Sequence, residues 1–378
     1  MAIITRAAAE VRQSSLRLFT TCLRVRDLAI KGFYQIEKLD PSGNGKGFQR
    51  LLNAGRAKKL ADYLLDAYSE GDAFLPTSVF LATNKNIVLN AESNTITFDT
   101  DQVGPFNVVD GQHRIAGLIA AAEKNPDLLD FEIPVNIAVE LNDISQMCHF
   151  LIVNTTQHSV DEGVEQQIVA RLTSMLEIEE MPTIPNWIRR QVEKGEDSRA
   201  LSIVDFLNND KDSPWYQKIR MATEEKDSDQ TINQKSFVKS LKRYVLNPSN
   251  PLAEASYEKN RPKMLANYWK AIIQLLVDEN SLKSSVIYKT TGVELFHIAS
   301  PAIFTILASQ RDFTVENIKK LLSHAFRNLQ GEAAGLASPD WWQRGGVASG
   351  VNSSAVRKLA HALSHAVNTP ENSEGMRL

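Results

Sequence analysis

FNVVDGQHRIAGLIAAAE, residues Phe106 to Glu123, reads as a strand, a tight turn and a helix. Val108 and Val109 end the apolar strand, and Asp110-Gly111 turns the chain. Beyond the turn Ile115, Leu118, Ile119 and Ala122 recur at helical spacing, which predicts a helix buried on one face. The backbone amides of Gly111 to Arg114 then stand at a helix start, where they and the helix dipole bind an anion such as a phosphate. Arg114 adds a planar, bidentate guanidinium to that grip. On this reading Ile115, Leu118 and Ile119 carry the fold and Arg114 carries the ligand. Ala116 and Gly117 permit close backbone approach to the sheet or to a ligand.

Two readings of Asp110 stand side by side. As an N-cap it accepts a helix amide; as a functional group it holds a metal that bridges phosphates, or activates a water. His113 lies between polar neighbours, off the apolar stripe, so it suits phosphate contact or proton transfer near neutral pH. The turn is neither a Walker loop nor a GxGxxG fingerprint, and the chain has no GxSxG and no HExxH. These residues alone support binding, not a reaction.

Outward from this unit, a helical opening leads to Leu23–Lys31 and then to a glycine-rich loop, DPSGNGKG, at Asp40 to Gly47. An amphipathic helix follows, with Leu51, Ala54, Lys58, Ala61, Leu64 and Leu65 on one spacing and Arg56 and Lys59 mostly off it. Phe74–Ala82 reads as a strand, Ile87–Phe98 as a hairpin and Ile133–Leu141 as a further strand. A helix begins near Ser145, and another runs from Val160 to Leu176 after the polar step NTTQHS. The order predicts a small α/β domain over 1–180. From 181 to 378 the periodicity is helical, with candidates at Trp187–Val192, Phe237–Val245, Met264–Val277, Gly292–Ser309, Thr314–Leu329 and Ser353–Val367.

Other polar groups are candidates for the same anion. Gln49 and Arg50 follow the glycine-rich loop, so Arg50 either reaches a phosphate from across the site or points to solvent. Asn154, Thr155, Thr156 and Gln157 either present amides and hydroxyls to a base, ribose or phosphate, or form a plain polar turn. Trp341 and Trp342 either stack on a base or a partner, or pack the helical half.

The composition, 43% hydrophobic and 23% charged, is that of a globular protein. The net charge of −3 hides an uneven distribution: residues 1–60 hold 12 Lys or Arg against 4 Asp or Glu, whereas residues 61–180 hold 4 against 20. A basic N-terminal face can serve nucleic acid or be solvated surface, and no aromatic-interleaved basic run accompanies it in the sequence. Arg6, Glu10 and Arg12 interrupt any leader-like apolar run, and no window approaches the roughly 18 uninterrupted apolar residues of a membrane span. The expected location is cytoplasmic. Cys22 and Cys148 lack a CxxC spacing and read as structural thiols.

DGQHR at Asp110 to Arg114 resembles the signature of the DGQHR-domain proteins, a branch of the ParB and sulfiredoxin-like superfamily with DndB-like and DpdB-like members in bacterial DNA-modification systems. FQR at Phe48 to Arg50, LPTSVFLA, NVVDGQHRIAGL, IPVNIAVEL and VNTTQHSVD are similar to family segments and stand in the family order. SPWYQKIR at Ser213 to Arg220, KTTGVELF at Lys289 to Phe296 and NSSAVRKL at Asn352 to Leu359 are similar too. The resemblance implies a ParB/sulfiredoxin-like mixed-sheet domain followed by a mostly α-helical region, with Gly111, Gln112, His113 and Arg114 on the phosphates. Sulfiredoxin-like proteins carry a catalytic cysteine where this chain has Gln112, so sulfinic-acid repair does not carry over. Two roles are implied. In the DpdB-like role the protein binds ATP, or another nucleoside triphosphate, with Mg²⁺, and hydrolyses it through Asp110 and His113. It then supports a transglycosylase-like partner that inserts a 7-deazaguanine base into DNA. In the DndB-like role it is a DNA-binding regulator of phosphorothioation genes. VNTTQHSVD departs from the DndB-like form, which tilts the expectation toward nucleotide hydrolysis.

Overall fold

The computed structural model describes residues 2–39, 47–49, 51–157, 162–175, 186–225, 227–277 and 285–369. They form two units, Met1–Ile168 with Met175–Asn186, and Val169–Ser174 with Trp187–Leu378.

The first unit is built on an eight-stranded mixed sheet. Its strands are β1 (Ile3–Gln13), β2 (Leu16–Arg24), β3 (Tyr34–Gln35), β4 (Val79–Ala82), β5 (Leu89–Asn90), β6 (Thr95–Asp99), β7 (Phe106–Asp110) and β8 (Glu132–Ala138). Their order in the sheet is β3-β7-β4-β8-β2-β1-β6-β5. The expected helical opening is instead the β1–β2 hairpin, turned at Ser14 with φ 55°. Ala7 to Ala9 favour a helix by propensity. Pairing of β1 with β6 and of β2 with β8 overrides that preference, because only a strand can complete the sheet between them. Strand β5 pairs antiparallel with β6, giving the expected hairpin.

The helices of this unit are α1 (Val25–Leu28), α2 (Ala54–Glu70), α3 (Thr100–Val103), α4 (Gln112–Lys124), α5 (Asp143–Gln157) and α6 (Glu162–Ser174), the last passing into the second unit. Asn53 caps α2 by accepting the Arg56 amide, and Gly71 ends it in the left-handed region. The core lies between sheet and helices: Phe19, Leu81, Phe106, Val108 and Ile137 from strands meet Leu64, Ile115 and Leu118 from α2 and α4. Cys148 is buried, and burial pushes its thiol up to about 11, so it is unreactive; Cys22 is exposed, and neither is in a disulfide.

The second unit is mostly helical, as expected: α7 (Asn186–Lys194), α8 (Glu196–Asn209), α9 (Gln234–Ser240), α10 (Arg261–Leu276), α11 (Thr290–Gln310), α12 (Val315–Arg327) and α13 (Ser353–Val367). Helix α9 continues into a π-helical turn over Leu241–Val245. A parallel pair, β9 (Ile219–Arg220) and β10 (Ile232–Asn233), is its one described sheet. Helix α8 is an addition to the expected set. Helix α11 is long and apolar enough to cross a membrane by composition, yet Leu295, Phe296, Ile303 and Phe304 on it are fully buried in the unit's core. Trp341 and Trp342 are also buried, Trp342 donating its indole N–H to Leu336 O, so both pack the helical unit.

Candidate functional site

Strand β7 runs beside the two-residue edge strand β3 and delivers the chain to α4. The β4–β7 register shifts between Phe80 and Leu81, so Asp110 faces Phe80 while Val108 faces Leu81. A shift at a strand end re-aims the residues beyond it. Gly111, not Asp110, is the N-cap of α4, with φ 102°. A Cβ at Gly111 would stand 3.0 Å from Arg114 Nη1 and 3.1 Å from Val79 Cγ2, so this turn requires glycine by conformation and by space. Ile115 N is the amide that closes onto Gly111 O, and those of residues 112–114 precede the helical ladder.

Arg114 sits differently from its expected place over the amides. Its Nη1 donates to Ser78 O at 2.7 Å and to Asp110 Oδ2 at 3.1 Å, tying α4 to the segment before β4. Asp110 is therefore an i,i+4 ion-pair partner rather than a cap. Nε and Nη2 of Arg114 make no hydrogen bond to a described residue, so the guanidinium is half fixed and half available. Arg114 thus carries part of the fold.

His113 Nε2 accepts the backbone N–H of Asn53 at 3.0 Å. That nitrogen carries no proton in this arrangement, and proton transfer would have to pass through Nδ1. The same bond joins the first turn of α4 to the cap of α2. Gly117 lets the helices approach: a Cβ there would lie 2.9 Å from Ala57 O and 2.9 Å from Leu60 Cδ2. The first two turns of α2, which expose Arg56, Lys58 and Lys59, therefore stand beside the turn. None of these three has an ion-pair partner among the described residues, whereas Arg6, Arg12, Arg17, Arg24 and Arg26 of the same basic N-terminal stretch are all paired. Two turns along α2, the exposed Tyr63 donates its hydroxyl to Phe74 O and accepts from Phe74 N, holding an exposed phenylalanine beside the basic face. Helical spacing of Arg56, Lys59 and Tyr63 was visible in the sequence; the approach of Phe74 was not.

Gln49, Asp110, Gly111, Gln112, His113 and Asn154 line one cleft, floored by Val108, Val109 and Phe150. Its volume is about 20 Å³, room for a water and far below the roughly 300 Å³ at which ligand pockets begin. Gln49 is fully buried, and its Oε1 has no hydrogen-bond partner among the described residues. Asn154 lies in the last turns of α5 and spends its Nδ2 on Phe150 O, so NTTQ extends a helix and is not a turn. Thr155, Thr156 and Gln157 belong to the same helix; Arg50 lies outside the described residues. Below the cleft, Asn107 accepts from Gln35 and donates to Gln146, which donates to Leu141 O, a buried amide chain that fixes β7 against α5.

The described residues hold no cluster of three or more His, Cys, Asp or Glu side chains suited to a metal. Asp110 offers one carboxylate, already shared with Arg114, and Mg²⁺ bound there would rest almost wholly on a ligand's phosphates. The turn does not build a metal centre of its own.

Residues 7–166 match the DndB family. Its description is DNA-sulfur modification-associated, and the matched span runs from β1 into α6 with the whole turn inside it. No curated protein and no solved structure matches the chain. The DndB match bears out the resemblance carried by DGQHR. It favours the sulfur-modification role over the deazaguanine role, the reverse of the tilt drawn from VNTTQHSVD.

Proposed function

We propose that the DndB-like region is a DNA-binding module of a DNA sulfur-modification system, regulating it by gripping the DNA backbone. The observation that carries this reading is the basic start of α2, where Arg56, Lys58 and Lys59 have no ion-pair partner among the described residues, set beside the DGQHR turn by the His113–Asn53 bond. Backbone phosphates need charge spread along a surface rather than a deep pocket. The small cleft and the half-available Arg114 suit one phosphate at the turn, with its neighbours along α2. Phe74 and Tyr63 supply aromatic surface beside that track. The test is duplex binding followed by fluorescence anisotropy across a salt series. Replacing Arg56, Lys58 and Lys59 together with Gln should weaken binding and flatten the salt dependence by up to about 0.9 per lost contact. Affinity indifferent to salt, or a triple variant equal to wild type, would reject the reading.

Nucleotide binding with Mg²⁺ is the second reading, and Gln49 favours it, since its buried unpartnered acceptor suits the amino group of a base. It requires the cleft to widen. Asp110 and His113 would then be the catalytic candidates, and a DNA-modifying enzyme the partner served. Calorimetry with each of the four nucleoside triphosphates and Mg²⁺ decides it: absence of heat for all four rejects nucleotide binding and leaves the DNA reading standing.

A further inference from the structure

Helix α7, NWIRRQVEK, buries Ile188 and Val192, four residues apart, on one face. Thr173 Oγ1 of α6 donates to Val192 O at 3.2 Å and holds that face in place. The outward face carries Trp187, Arg190 and Lys194, all exposed. Their spacing of i, i+3 and i+7 puts them in one stripe, roughly 10 Å long at the helical rise. Gly195, with φ 60°, turns the chain into α8, and Arg199 of α8 reaches back to donate its Nη2 to Lys194 O at 3.0 Å. A third cation therefore stands at the end of the stripe. Glu193 lies about 100° round the helix from Lys194, on the side of Arg189 and off the stripe.

Arg190, Lys194 and Arg199 have no ion-pair partner among the described residues. Outward cations without carboxylate partners complement a polyanion. Trp187 narrows the choice. Of the five tryptophans, Trp215, Trp269 and Trp342 are 0% exposed and Trp341 8%, whereas Trp187 is 38% exposed. An open indole beside guanidinium and ammonium groups fits a flat π-surface that carries negative charge next to it. A nucleobase on its phosphate backbone is that combination. In a duplex both faces of each base are covered by neighbouring bases, so the indole selects an unpaired strand.

We propose that α7 is a single-stranded DNA contact, with Trp187 stacked on an unpaired base and Arg190, Lys194 and Arg199 on the adjoining phosphates. DNA is preferred to RNA because the family matched by the first unit is DNA-sulfur modification-associated. The contact uses none of the α2 cations and does not depend on the duplex grip. Oligothymidylate is titrated into the whole chain while tryptophan emission is followed. A base stacked on an indole quenches it, and the four buried indoles are shielded, so a saturable quench reports on Trp187. Trp187→Ala should remove the quench and weaken binding of a labelled oligothymidylate about tenfold, with melting nearly unchanged because the side chain is exposed. Arg190→Gln with Lys194→Gln keeps the indole and should flatten the salt dependence by about 0.7 per lost contact. The triple α2 variant should keep the quench even where it loses the duplex. No quench in the wild type overturns the proposal, as does wild-type affinity in Trp187→Ala or loss of the quench in the α2 variant. Equal quenching by polyglutamate, which has charge without bases, or stronger quenching by oligouridylate equally overturns it.

Discussion

Arg114 spends half of its guanidinium on the fold. One edge of its guanidinium is spent on Ser78 O and Asp110, and the remaining donors face outward. Alanine removes both, so Arg114→Ala should lower stability by about 1–3 kcal/mol, the cost of losing hydrogen bonds to a charged group, besides weakening DNA binding. Lysine keeps the charge but has no planar fork and cannot reach Ser78 O and an outer phosphate together. Arg114→Lys should therefore retain more DNA affinity than alanine while melting at nearly the same lowered temperature. Thermal melts and anisotropy on the two variants separate these effects. Unchanged melting in both would mean that the Ser78 contact contributes nothing to stability. The sequence offered Arg114 as a ligand group, an expectation that rests on its place in the turn; its partner at Ser78, 36 residues away, left no local signal.

Helices α2 and α4 pack against each other in the first unit, and Gly117 sets their separation. A methyl at Gly117 meets the Ala57 carbonyl and the Leu60 side chain, and the carbonyl cannot yield without shifting α2. Overpacking of this kind costs typically about 1–3 kcal/mol. Gly117→Ala also improves helix propensity, by up to about 1 kcal/mol, which offsets part of that. The expected outcome is a modest net loss of stability together with weaker DNA binding, since moving α2 displaces Arg56, Lys58 and Lys59 from the turn. Denaturant unfolding and anisotropy on the one variant check both. A variant that binds DNA as wild type does would show that the basic face works without the α4 turn.

The two units carry separate cores, and the second hides groups that make its stability depend on pH. His297 is fully buried in an aromatic setting of Phe237 and Trp269, with Nδ1 bonded to Ser240 Oγ. Burial drives its pKa down to about 3, so it stays neutral in the folded unit. The unfolded chain takes up a proton near its ordinary value, about 6.5. The contribution of His297 is therefore intact above about pH 6.5 and is lost progressively as pH falls toward 3, at up to about 1.4 kcal/mol per pH unit. Asp205 acts in the opposite sense, because burial raises it to about 6 and its ionisation removes stability as pH rises from about 4 to 6. Denaturant unfolding followed by tryptophan fluorescence between pH 7 and 4.5 should show a shallower pH slope in His297→Gln than in wild type. Equal slopes would mean that His297 is not linked to unfolding.

Alternation, helical spacing and a glycine between strand and helix were enough to place β7, the turn and α4, because each of these signals is local and the backbone answers to it within a few residues. The same signals placed six of the helices of the second unit. They failed at the N-terminus, where alanines with helical propensity became β1, because two partner strands distant in sequence needed a third between them. Long-range packing also decided the site. It set Ser78 against Arg114, Asn53 against His113 and Phe74 against Tyr63, and it paired the N-terminal arginines so that the cations of α2 were left over. Residue type fixes which charge and which donor a position can offer; only the fold fixes which of them are already spent on a neighbour.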